Sequence, residues 1–141
     1  MVLVHGGVLR KAIGLLLRAY SYIFHLIISV FLIGVASLAS SADKPLKLDI
    51  LPWDGFKLNH WVLGLGVIGL ICILLAVTGL FRYVFPVWTL FVFAMMFRGF
   101  FLTPYSFSGE SEFKGACWLT FGALGAFLSS LSVLDSRGRG R

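Results

Sequence analysis

Four apolar runs alternate with short polar stretches along the chain: 19–39, 60–80, 84–102 and 115–134. Each is close to the roughly 20 residues that a helix needs to cross the hydrocarbon core of a bilayer. Between them lie a polar segment at 41–59, a link through Arg82 and Tyr83, and a second polar segment at 103–114. The pattern predicts an all-α integral membrane protein, a bundle of four transmembrane helices in a single membrane domain. The link is too short for a soluble excursion, so the second and third helices should be antiparallel neighbours. Pro86 falls in the first turn of the third run, where its missing N–H costs little.

The first run is preceded by a mixed stretch in which Arg10, Lys11 and Arg18 stand among Leu, Ile and Val. Read as one helix, the whole region is longer than a bilayer core is thick, so its first turns should lie at the interface or the helix should tilt. A cleaved signal peptide is the rival reading, with the small residues of 36–42 as its processing site. The apolar stretch exceeds the usual signal core of roughly 7–15 residues, which favours a retained helix. In the 41–59 segment, Leu46, Leu48 and Ile50 alternate with Lys47 and Asp49. That allows a short extended piece, or a loop on the membrane surface anchored by Trp53 and Trp61 in the headgroup belt.

Composition agrees with the pattern. Of the 141 residues, 59% are hydrophobic and 13% charged, against about 25% charged in soluble domains. The net charge of +6 does not point to nucleic acid, because the charges sit at segment ends. If the N-terminus, the 81–83 link and the C-terminal tail share a side, that side holds seven cations against Asp135. The other side balances Lys44, Lys47, Lys57, Lys114 and Arg98 against five acids. The bias places both termini in the cytoplasm (N-in/C-in), with the bacterial inner membrane as the expected location.

Candidate chemistry is sparse. Arg98 lies about four residues before the outer end of the third run; it should snorkel to the interface, or pair with Glu110, Glu112 or an acid in 41–59, or serve in binding or a relay. His25 and His60 are weak ligand candidates. A rise of 1.5 Å per residue separates their depths by roughly 20 Å, so they cannot share one iron. A haem or pigment would have to be shared with a partner, and no cofactor or metal is expected otherwise. Cys72 and Cys117 differ in depth by roughly 15 Å, beyond disulfide reach. No span contains an acid, and no nucleophile or zinc-peptidase motif occurs. Gly64, Gly66 and Gly69 have dinucleotide-fingerprint spacing but stand inside an apolar run, which removes that reading.

Close helix packing is signalled in the fourth run, where Gly115, Gly122, Ala126 and Ser129 or Ser130 fall near one face. Gly64 suggests a weaker packing face on the second run. The expected function is a non-enzymatic accessory or assembly subunit of a larger membrane complex. Its partners would be the bilayer and other membrane subunits or copies of itself, and the apolar residues of 41–59 would be available for docking. The alternatives are an oligomeric transporter or channel with Arg98 near its outer mouth, and a cofactor-binding subunit using His25 or His60.

Overall fold

The structure, a computed structural model, describes residues 2–43, 45–47, 51, 55–81, 83–103 and 106–135; the side chains of 2–6 and 132–135 are outside that description. Four α-helices follow one another: α1 (Val2–Ser41), α2 (Phe56–Thr78), α3 (Val84–Phe97) and α4 (Glu110–Asp135). A π-helical turn, Arg98–Leu102, extends α3. No strand occurs among the described residues. The segments at 7–41, 56–78 and 84–102 are long and apolar enough to cross a membrane. The third matches its apolar run residue for residue.

The helix ends depart from the hydropathy pattern in ways that have local causes. α1 is one helix of 40 residues rather than a span that begins near residue 19; no proline or acid interrupts it. α2 begins at Phe56, four residues before the apolar run, and ends at Gly79. Gly79 adopts φ 74°, a left-handed conformation that glycine takes without steric cost, and its N–H reaches Ala76 O at 3.2 Å. α4 begins at Glu110 inside the segment expected to be a loop. Glu110 and Glu112 occupy its first turn, where carboxylates complement the helix dipole. Glu112 reaches back to the N–H of Ser108 at 2.8 Å, and Phe107 packs edge-on against Phe113 across the helix start.

α1 packs against α2 and α4, and α3 packs against the same two helices, so the four close into a ring. Phe85 of α3 reaches across it to Tyr22 and His25 of α1. The interior mixes apolar and polar side chains, and the outer surface is apolar. Ser21, His25, Ser29, Asn59, Thr89, Thr120, Ser129 and Ser130 are buried, whereas Trp118, Leu38 and Leu74 are 79%, 72% and 64% exposed. Water would make that outer surface costly, and lipid does not. The fold is therefore that of an integral membrane protein.

At the end where α1 stops and α2 begins, Leu46 and Leu51 pack on Ala36, Leu58 and Val62. The Leu46 N–H donates to Oδ1 of buried Asn59 at 2.9 Å. These two loop leucines pack, partly buried, on their own bundle; residues 48–50 and 52–54, Trp53 among them, lie outside the described residues. Asn59→Leu should release the loop, costing about 1–2 kcal/mol for the orphaned Leu46 N–H. Faster proteolysis within 43–55 in reconstituted protein, relative to the wild type, is the expected readout.

Candidate functional site

Among the described residues, the polar side chains inside the ring form the constellation best equipped for chemistry. On α1, Ser21, His25 and Ser29 recur every four residues, so they stack on one helical face. All three are buried. Ser21 Oγ donates to Ala126 O on α4 at 2.8 Å, and Tyr20 OH donates to Gly122 O at 3.1 Å. Those carbonyls already serve α4, so the hydroxyls attach α1 without breaking it. Between α3 and α4, Thr89 Oγ1 and Ser130 Oγ lie 3.0 Å apart, and each has a carbonyl of its own helix in reach, Pro86 O at 2.8 Å and Phe127 O at 2.6 Å; with one proton apiece, one hydroxyl donates to the other, which donates to its own carbonyl.

His25 is 1% exposed. Its Nδ1 lies 2.9 Å from Ser21 O. A carbonyl can only accept, so Nδ1 carries the proton and Nε2 is the lone-pair nitrogen of the neutral ring. That nitrogen is buried without a hydrogen-bond partner among the described residues. Phe24 and Phe85 stand edge-on to the ring at 5.5 and 5.6 Å. The indole Nε1 of Trp88, one turn beyond Phe85 on α3, is buried and lacks a partner in the same sense. Nε2 of His25 is the interior atom best suited to a metal or cofactor. No group of three His, Cys, Asp or Glu side chains converges among the described residues.

The close approaches of the ring define the interior. A Cβ on Gly66 would meet Ile33 Cγ1 at 2.6 Å, and one on Gly69 would overlap Ser29 Oγ and lie 3.2 Å from Trp88 Cζ2. α2 thus touches α1 through these two glycines, while Gly64 has open space around it. On α4, a Cβ on Gly122 would meet Phe24 at 2.8 Å, and Ala126 is fully buried, but Gly115 faces open space.

His60 is exposed, with Nδ1 2.9 Å from Phe56 O, and the structure does not bring it to His25. Cys72 and Cys117 are free thiols. Arg98 is exposed at the start of the π-helical turn, where its carbonyl accepts from Thr103 N at 3.1 Å. The expected pairing with Glu110 or Glu112 does not form: Glu110 holds Lys114 at 2.7 Å, and Glu112 holds the Ser108 N–H. Trp61 is half exposed on the first turns of α2. Trp53, Arg82 and the basic tail fall outside the described residues.

Sequence reasoning missed the Ser21–His25–Ser29 stripe, whose signal was its four-residue spacing within an otherwise apolar helix. It also missed Trp88 and Asn59, which nothing in the pattern distinguishes from neighbouring aromatic and polar residues. No protein-family model, no curated protein and no solved structure matches the chain.

Proposed function

We propose that the chain is a non-enzymatic accessory or assembly subunit of a larger membrane complex. In this reading it is a four-span bundle with both termini on the cytoplasmic face of a bacterial inner membrane. The Lys/Arg distribution supports the orientation. α4 supports the fourth span, because its 26 residues reach about 39 Å. Its lower apolarity comes from the charged residues at its ends, Glu110, Glu112, Lys114 and Asp135, and from buried hydroxyls, including Thr120, Ser129 and Ser130.

The observation that carries the reading is the first part of α1. The 35 residues from Gly7 to Ser41 extend about 52 Å. Fitting them into a 30 Å core would require a tilt of roughly 55°, beyond the observed range of about 0–40°. The helix therefore overhangs. Val8, Leu9, Leu15 and Leu16 of that overhang are 63–69% exposed, and no described residue packs on Gly7 or Gly14. At about 100° per residue, Leu9, Ala12, Ile13 and Leu16 share one side and Arg10, Lys11 and Arg18 the other. A contiguous apolar stripe beside cations suits docking onto another subunit at the membrane surface.

The test places a photo-crosslinking residue at Ile13 and isolates the particle gently from native membranes. The expected result is a crosslink to one other polypeptide, which native mass spectrometry finds in fixed ratio with the chain. A chain that emerges alone as a monomer, with only lipid attached at Ile13, removes the subunit reading.

A further inference from the structure

Two buried polar atoms inside the ring are left over by every interaction described above, and their chemistry is complementary. His25 Nε2 offers a lone pair and needs a donor. Trp88 Nε1–H needs an acceptor. Neither has a partner among the described residues, and in the interior of a membrane bundle no lipid or bulk water can serve either one. The two belong to one region. The His25 ring abuts Phe85, and Trp88 stands three residues further along the same face of α3. Trp88 and Ser29 both approach the bare Cα of Gly69, and Ser29 is the next turn after His25 on α1.

We infer that this region, bounded by His25, Ser29, Gly69, Phe85 and Trp88, is a binding site for water, which donates to His25 Nε2 and accepts from Trp88 Nε1–H. A molecule that both donates and accepts is required, because the two side chains present opposite halves of a hydrogen bond. The Ser29 hydroxyl, 2% exposed beside them, supplies a third polar group. Three partners is the usual number for a buried water. Gly69 has a role in this arrangement beyond helix contact: a side chain there would overlap the Ser29 hydroxyl and displace that third polar group. The bound water joins α1 to α3 across the ring, a diagonal also spanned by the aromatic contacts of Phe85 with Tyr22 and His25.

The test is a double-mutant cycle on the full chain, with His25→Phe, Trp88→Phe and the pair, read as the unfolding equilibrium in mixed micelles. If one water serves both groups, each single change shifts the equilibrium by about fivefold or more, and the double variant shifts it by little more than either. Independent effects that multiply overturn the inference. A second measurement needs no destabilised variant. In wild-type protein with 15N-labelled indole groups, the Trp88 N–H signal, identified by backbone-linked assignment, should show a cross-relaxation peak to a long-lived water. A Trp88 signal without that peak equally overturns the site.

Discussion

Gly69→Leu is expected to cost at least about 3 kcal/mol, the upper end for overpacking a well-filled interior, or to prevent the ring from closing. The size of the effect follows from what the new side chain meets. A Cβ alone would overlap Ser29 Oγ and press on the indole of Trp88. Neither neighbour can withdraw cheaply, because Ser29 is held on the buried face of α1 and Trp88 is stacked on Phe91 at 5.7 Å. α1 would have to move away from α2 along their whole contact. Gly64→Leu is the matched control, since nothing lies within 4 Å of a Cβ there; it should change stability by no more than about 0.5 kcal/mol. Equilibrium unfolding in mixed micelles, with helix content followed by circular dichroism, measures both. Equal effects at the two glycines would mean that α1 and α2 do not meet through Gly69.

Phe85→Ala carries the second large expected effect. Phe85 is fully buried and touches Tyr22, His25 and the cluster of Cys72, Ile73 and Ala76. In soluble cores such truncations cost about 3–5 kcal/mol, of which part is the transfer of apolar surface from water. In a bilayer that transfer term is small, because lipid is as apolar as the protein interior. The cavity and the lost dispersion contacts remain, so about 2–3 kcal/mol is expected, near the low end of the soluble range. Phe121→Ala separates the two contributions. Phe121 is 69% exposed on α4 and should tolerate the change within about 0.5 kcal/mol. If the two truncations cost the same, Phe85 is not at the centre of the ring.

Both predictions depend on an interior held by fit and by hydroxyl-to-carbonyl bonds. Individually these bonds are weak: interhelical hydrogen bonds in membranes average about 0.6 kcal/mol. Two such bonds, from Tyr20 and Ser21, join α1 to α4, and a hydroxyl–hydroxyl contact between Thr89 and Ser130 joins α3 to α4; together they specify which helix faces meet. The same hydroxyls placed on the lipid-facing side would have no such partners.

Taken alone, the amino-acid sequence determined the class of the protein and the approximate limits of its helices. Long apolar runs can satisfy their backbone in lipid only as helices, so 84–102 was legible to the residue and 56–78 to within a few. The sequence could not set the true start of α1, because Arg10, Lys11 and Arg18 interrupt hydropathy without interrupting helical hydrogen bonding. It also missed the start of α4, since a capped first turn rich in Glu and Ser reads as loop.

Which faces meet was decided by the tertiary structure. Gly122 and Ala126 were legible through small-residue spacing, but Gly64 and Gly115 share that composition and face open space. Gly66 and Gly69 make the contact because of the rotation of α2 against α1. In an all-apolar helix no polar stripe announces that rotation, since lipid and protein neighbours ask for the same side chains. For the same reason His25 was legible as a residue with chemistry, while its orientation, its bond to Ser21 O and its proximity to Trp88 required the ring to be closed around it.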